Sequence, residues 1–218
     1  MVVVERPTRE RPGVYYAPSG YWPLTTTAWK ETSVKIGLIS DTHIPSMGPE
    51  PPAEVKTAFQ GVDLIIHAGD VYTEDCIHWL EQIAPVKATT SGFHHVGEGA
   101  PRISTPITVE VEGHTIGVIH NLDLRYYPDD IYPHSLDRYP ETKSLKAELL
   151  DVFGKPVDIV VLGYTHEVMV ETHDDVLFVN PGSPTMVGNR RKMGHVATME
   201  LTGDDVDVEI IPLADVNP

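Results

Sequence analysis

The sequence predicts an α/β fold in which two β-sheets lie face to face with helices outside. The first observation is five short apolar runs that stop abruptly at polar or metal-ligating residues. Ile36-Gly37-Leu38-Ile39-Ser40 stops at Asp41-Thr42-His43, and Leu64-Ile65-Ile66-His67-Ala68 at Gly69-Asp70. Thr115-Ile116-Gly117-Val118-Ile119 stops at His120-Asn121, Ile159-Val160-Val161-Leu162 at Gly163-Tyr164-Thr165-His166, and Val176-Leu177-Phe178-Val179 at Asn180-Pro181-Gly182-Ser183. Runs of this length, rich in β-branched residues and bounded by Gly and Pro, read as buried strands. The second observation is that strand and helix signals alternate in the first half, the signature of a parallel sheet. The third is that the second half is dominated by strand signals, which calls for a second sheet.

Taken in order, the folded body starts with a strand over 34–40. Residues 51–60 read as a short helix, with proline in its first turn and Gly61 beyond its end. A second strand covers 62–67. Thr73 is an N-cap candidate for a helix running to Ile83 and closed by Pro85. A third strand covers 86–90. Residues 107–112 alternate, turn at Gly113-His114 and return over 115–120 as a hairpin. Residues 121–142 read as an irregular loop. Residues 144–153 form an amphipathic helix with Leu145, Leu149 and Leu150 on one face. A buried strand follows over 157–162. Residues 169–171 pair with 177–179 around Asp174-Asp175, and a last hairpin joins 196–201 to 206–211 across Gly203-Asp204. Residues 1–33 stand apart, with Pro7, Pro12, Pro18 and Pro23 among Tyr15, Tyr16, Tyr21 and Trp22. The domain proper is therefore 34–218, preceded by a Pro/aromatic extension over 1–33.

A chain of 218 residues suits one α/β domain with a single large core. The 32 acidic and 16 basic residues leave a formal net charge of −16. That balance argues against broad nucleic-acid binding and against docking on an anionic membrane. No apolar run approaches the ~18 residues of a membrane span, and Met1 to Val4 is too short for a signal-peptide core. The single cysteine, Cys76, forms no intramolecular disulfide and reads as a packing residue. A cytoplasmic location is expected.

In open α/β sheets, ligands bind outside the carboxyl ends of strands. Asp41, His43, Asp70, His120 and His166 all follow strands and are thus placed to converge on one crevice. Carboxylate oxygens and imidazole nitrogens together suit a divalent metal. His67 lies inside a strand and reads as packing or as support for its neighbours. His78, His114, His134, His173 and His195 read as surface residues. Asn180 and Ser183 are expected to shape their turn through hydrogen bonds.

Asp41-Thr42-His43, Gly69-Asp70, His120, Gly163-Tyr164-Thr165-His166 and Asn180-Pro181-Gly182-Ser183 occur in order, each after a strand. In this the chain resembles the calcineurin-like metallophosphoesterases, in the small bacterial and archaeal phosphodiesterase branch that includes a retromer subunit. The resemblance spans residues 34–211. It implies a four-layer α/β/β/α sandwich of two mixed sheets, and one or two divalent metals per chain (Mn, Zn, Ni or Fe). It implies hydrolysis of a phosphodiester or a small phosphorylated molecule by a metal-activated water, and a homo-oligomer. Asp41, His43 and His166 would hold one metal, Asp70 would bridge, and His120 would help hold the second.

The chain departs from the family pattern at three places. Gly92 stands where the family has an asparagine, Tyr164 replaces a histidine of the Gly-His-Thr-His motif, and Asn121 replaces the glycine after His120. The second site could be rebuilt by His94, His95 or Asn121. One metal could suffice, or the fold could be kept as a catalytically silent scaffold that binds another protein, as the retromer relative does. His94 sits where an imidazole can protonate a leaving alkoxide. Catalytic roles are expected for His94 and His120, and substrate-binding roles for Arg125 and Tyr164. Arg125 belongs to the 121–142 loop, which begins right after His120 and could overhang the crevice, clamping phosphate through that guanidinium.

Overall fold

The computed structural model describes residues 33–89 and 105–218. Its strands in chain order are β1 (Val34–Ile39), β2 (Leu64–His67), β3 (Val86–Ala88), β4 (Ile107–Val111), β5 (His114–Val118), β6 (Ile159–Val161), β7 (Val168–His173), β8 (Val176–Pro181), β9 (Met186–Val187), β10 (Arg190–Arg191), β11 (His195–Thr202) and β12 (Asp205–Pro212). Helix α1 (Glu54–Ala58) joins β1 to β2, α2 (Glu74–Glu81) joins β2 to β3, and α3 (Leu145–Phe153) precedes β6.

The strands form two five-stranded mixed sheets. The first has the order β12-β11-β1-β2-β3 and the second β4-β5-β6-β8-β7. The terminal hairpin returns to the first sheet, where β11 pairs antiparallel with β1 (Ile36 opposite Met199). β9 and β10 form a separate two-stranded ribbon.

Alternation along each strand sorts side chains between two faces. Ile36, Leu38 and Ile66 of the first sheet meet Ile116, Val118, Ile159 and Val161 of the second in one buried cluster. The opposite face of the first sheet carries Ile39 and Ile65 against Val55, Phe59 and Leu80 from the α1 and α2 layer. The opposite face of the second sheet carries Val160 and Phe178 against Leu145 and Leu149 of α3. These three apolar layers make the expected four-layer α/β/β/α sandwich. The two halves use the same device to seat their outer layers. A Cβ at Gly37 would lie 3.0 Å from the Phe59 ring, and one at Gly117 would lie 2.7 Å from the Phe153 ring. Only glycine lets these rings settle on the sheets.

Several local expectations need correction. The β4–β5 turn is Glu112-Gly113, both at positive φ (48° and 86°), while His114 already pairs with Val111. Such a two-residue turn matches the twist of its flanking strands. Thr73 does precede α2, but its hydroxyl makes no cap and donates instead to the Ile44 carbonyl. In α3, Leu150 is 45% exposed and Glu148 takes the inner position. The buried carboxylate is tolerated because the Tyr139 hydroxyl donates to it at 2.7 Å.

The 121–142 segment is a packed layer rather than an open loop. Leu122, Leu124, Tyr127, Ile131 and Leu136 are buried with α3 against the second sheet. A 3₁₀ turn forms at Ser135–Arg138, and Arg138 donates to the Tyr127 and Tyr132 hydroxyls. The proposed boundary between 1–33 and the body falls largely outside the described residues. Among the described residues no helix is long and apolar enough to cross a membrane.

Candidate metal centre

Both sheets send their strand ends to one seam. Asp41 N donates to the Gly69 carbonyl (2.9 Å) and His43 N to the Asp70 carbonyl (3.0 Å), tying the β1 and β2 exits together. Gly163 N donates to the His120 carbonyl (3.0 Å), tying β6 to β5. The sheets then interlock through glycines. A Cβ on Gly69 would come within 2.6 Å of the His120 side chain, and one on Gly163 within 1.9 Å of Ser40 Oγ and 2.6 Å of Asp41 Oδ2. Each sheet thus carries a glycine where the other sheet's site residue passes.

The backbone leaves three strands in the same way. Asp41 and His43 have φ of 55° and 52°, Asp70 and Tyr72 have 54° and 66°, and Tyr164 and His166 have 75° and 59°. Left-handed backbone at a non-glycine residue costs about 1–3 kcal/mol. Here it occurs at the first and third residues of three tripeptides, all of which bear on the centre. The surrounding hydrogen bonds hold these conformations. Ser183 Oγ donates to the Asp41 carbonyl (2.7 Å), Thr185 Oγ1 to the Thr42 carbonyl (3.2 Å), and Asn180 Nδ2 to the Gly163 carbonyl (2.9 Å). The Asn180–Ser183 turn therefore supports the neighbouring exits, as its sequence suggests.

Asp41 is fully buried. Its Oδ2 accepts from Ser40 Oγ (2.6 Å) and from Tyr164 N (3.0 Å). Its Oδ1 faces three imidazoles: His166 Nε2 at 3.4 Å, His120 Nε2 at 3.8 Å and His43 Nε2 at 4.0 Å. Asp70 Oδ2 lies 3.5 Å from His120 Nε2 and 3.7 Å from His43 Nδ1. Two ligand groups result, Asp41/His43/His166 and Asp41/Asp70/His120. Asp41 is the member they share.

The imidazoles are oriented from behind. His120 Nδ1 lies 2.9 Å from the Ala68 carbonyl and His166 Nδ1 2.7 Å from the Gly188 carbonyl. A carbonyl only accepts, so each Nδ1 carries the proton and each Nε2 turns a lone pair to the centre when the ring is neutral. His43 Nε2 lies 3.1 Å from His166 Nε2. Two lone pairs at that range repel unless a proton or a cation lies between them. Bonds of about 2.0–2.2 Å to a divalent metal would set adjacent donors about 3–3.6 Å apart. The donor set and the three shortest of these six spacings, 3.1, 3.4 and 3.5 Å, therefore fit a divalent cation. For His43 Nε2 to offer its lone pair, Nδ1 must donate to the Tyr72 hydroxyl, which lies at 2.7 Å.

Without a cation the charges compensate one another. Burial opposes charge on His120 and His166, but the Asp70 and Asp41 carboxylates beside His120, and Asp41 beside His166, raise both pKa values. Burial dominates at His43 and lowers its pKa. Burial would raise Asp70, but the neighbouring histidines, His120 foremost, pull it below the usual carboxylate range. His67 is a buried support. It accepts from Gly69 N, faces Thr42 Oγ1 at 3.1 Å, and is held neutral by burial with a pKa of about 4. Cys76 is buried, and burial pushes its thiol to about 11, in keeping with packing.

All five residues read from the sequence as ligands, Asp41, His43, Asp70, His120 and His166, lie in this centre. Tyr164 borders it, 42% exposed, with its ring 5.6 Å edge-on from that of His120. Arg125 is placed elsewhere. Its guanidinium lies 3.7 Å from Asp151 of α3, and both side chains are 68% exposed. The reason is the packing of 121–142 over α3, which carries the arginine onto that helix. His94, His95 and Gly92 lie outside the described residues. Of the histidines read as surface, His78 and His134 are exposed, but His114, His173 and His195 are half-buried. His173, for example, faces Glu171 at 3.1 Å. Sequence reading missed Ser40, Tyr72 and the Gly188 carbonyl. Tyr72 lies two residues beyond Asp70, the i, i+2 spacing that Asp41 and His43 also show.

A family model for the calcineurin-like phosphoesterase superfamily domain matches residues 34–204, and the chain belongs to that superfamily. A probable metallophosphoesterase of Methanothermobacter thermautotrophicus is 33% identical over 177 residues, covering 81% of this chain and 91% of the relative. Among solved structures, vacuolar protein sorting 29 of Cryptosporidium parvum superposes with a TM-score of 0.59 at 20% identity, covering 82% of this chain and 97% of that one. A structure described as a novel archaeal phosphodiesterase superposes with a TM-score of 0.52 at 20% identity, covering 82% and 100%. At such identities these two structures speak for the shared fold.

Proposed function

We propose that this chain is a metal-dependent phosphodiesterase whose catalytic centre is the Asp41, His43, Asp70, His120 and His166 cluster. The observation that carries this is a single buried carboxylate, Asp41, whose Oδ1 lies within 4.0 Å of three imidazole nitrogens delivered by both sheets. Asp41, His43 and His166 would hold one cation, and Asp41, Asp70 and His120 a second. Divalent cations held there would supply a nucleophilic water near neutral pH and offset the charge of a phosphoryl group. The protein's own part is to keep the Nε2 atoms facing inward through Ala68, Gly188 and Tyr72. Tyr164, beside His120, would donate its phenol proton to a phosphoryl oxygen. His94 is assigned the proton that a leaving alkoxide requires. Mn²⁺, Zn²⁺, Ni²⁺ and Fe²⁺ all suit such a mixed nitrogen and oxygen donor set.

The test is hydrolysis of bis(p-nitrophenyl) phosphate by purified protein loaded with each metal, alongside a monoester. Metal-stimulated turnover that Asp70→Ala reduces at least 100-fold supports the assignment. No turnover on either ester with any metal counts against it.

A second reading is favoured by one observation: Tyr164, which stands in for a family histidine, leaves the second ligand group with only two carboxylates and one imidazole among the described residues. On that reading the chain is a silent scaffold for another protein, and the sorting-protein neighbour shares its fold. Metal content separates the two. Two metals per chain favour the enzyme, and none after soaking favours the scaffold. Cytoplasmic residence and a homo-oligomer belong to the same proposal, to be checked by fractionation and by light scattering.

A further inference from the structure

We propose that the β9–β10 hairpin is an anion-recognition arm that gives the centre a preference for ligands bearing a second phosphate beside the scissile one. This rests on the phosphodiesterase reading and names the substrate class it serves. The chain carries 32 acidic residues, yet residues 176–199 contain none, while Arg190, Arg191 and Lys192 follow one another there. All three are exposed. Among the described residues none of the three forms an ion pair with a carboxylate, and no other stretch of the chain sets three cations in a row. Three cations without counter-charge in so acidic a chain form a local focus for anions.

The arm is fastened to the centre at three points. The carbonyl of its turn residue Gly188 accepts from His166 Nδ1 at 2.7 Å, so the turn lies one imidazole width behind a ligand nitrogen. At its base, Thr185 Oγ1 donates to the Thr42 carbonyl between Asp41 and His43. At its side, Arg191 Nη2 donates to the Met47 carbonyl at 2.7 Å, and Met47 N in turn donates to the His43 carbonyl. Arg191 thus braces the arm against the His43 loop. Residues 190 and 192 share the opposite face, because side chains alternate along a strand. Pairing continues beyond β10 through Lys192 N, which donates to the Thr185 carbonyl at 3.1 Å. Arg190 and Lys192 are therefore the pair available to an incoming anion. Arginine binds phosphate oxygens in a fork, and lysine adds a point charge.

Calorimetry with metal-loaded protein compares thymidine 3′,5′-bisphosphate with thymidine 5′-monophosphate, so the readout needs no turnover. The bisphosphate is expected to bind at least tenfold tighter. That ratio should fall below about threefold in an Arg190→Ala/Lys192→Ala variant whose melting temperature matches the parent, and should shrink in high salt. Equal affinity for the two nucleotides in the parent, or an unchanged ratio in the variant, overturns the proposal. Turnover of thymidine 5′-(p-nitrophenyl phosphate) and its 3′-phosphorylated form is measured in parallel. A preserved binding ratio without hydrolysis sinks the catalytic reading alone, while hydrolysis without a binding preference sinks the arm alone.

Discussion

The two ligand groups that share Asp41 are built to different standards. In Asp41/His43/His166 both imidazoles have a hydrogen-bond partner behind them, Tyr72 or Gly188, and the three donors come from the tightly hydrogen-bonded β1 and β6 exits. In Asp41/Asp70/His120 the imidazole is braced by Ala68, but the Asp70 side chain is 23% exposed and the neighbouring Tyr164 ring turns toward solvent. The difference teaches that one group is braced behind both of its imidazoles, while the other keeps one carboxylate partly open to solvent. Asp41 belongs to both groups, and Asp70 Oδ2 also lies between His120 and His43.

The comparison breaks hardest at Asp41. Asp41→Ala should remove both metals, read by elemental analysis, and lower turnover by at least 1,000-fold. Asp70→Ala should keep one. Equal metal loss in the two variants would erase the distinction between the groups.

Gly163→Ala should come next. Its methyl would collide with Ser40 Oγ and Asp41 Oδ2, and overpacking of this kind costs about 3 kcal/mol. A chain of this size should then melt about 6–12 °C lower, read by calorimetry. An unshifted transition would mean the two sheets are less tightly interlocked than the close approach implies.

Tyr72→Phe sharpens the comparison more gently. It removes the oxygen 2.7 Å from His43 Nδ1, and loss of such an outer partner costs about 10-fold or more in metal affinity. The loss should fall on the first metal in a two-site titration and spare the second. The smallest effect is expected for Arg125→Ala. Its exposed pair with Asp151 is worth at most a few tenths of a kcal/mol, so melting temperature and kcat/KM should stay within error of the parent. A loss in kcat/KM would return this arginine to the substrate.

Much of the fold was legible because it rests on local chemistry. The five apolar runs are strands since β-branched residues between Gly and Pro have little alternative, and Ser144 before Leu145 caps α3 by accepting from Ala147 N. The residues of the centre were legible because each lies within a few residues of a strand's end. Leu150 was misread because the 121–142 segment packs beside α3, so a face that looks apolar in the sequence meets solvent while Glu148 meets Tyr139; the same packing pairs Arg125 with Asp151. Ser40 was missed because its partner is the adjacent residue, and Tyr72 because its partner His43 lies on a neighbouring exit, so that only its i, i+2 spacing from Asp70 could have pointed to it.

What the sequence by itself determined is therefore the inventory: the strands, their polar terminations, and a donor set of carboxylates and imidazoles suited to a divalent cation. The tertiary structure decided which atoms face one another. It put Asp41 in both candidate groups, set Gly188 and Tyr72 behind the imidazoles, and fastened the β9–β10 hairpin to His166 and the His43 loop. The physical reason is range. Strand propensity and turn chemistry act over a few residues, whereas a coordination pocket is assembled from groups more than a hundred residues apart, and only the packing of two sheets against each other sets their distances.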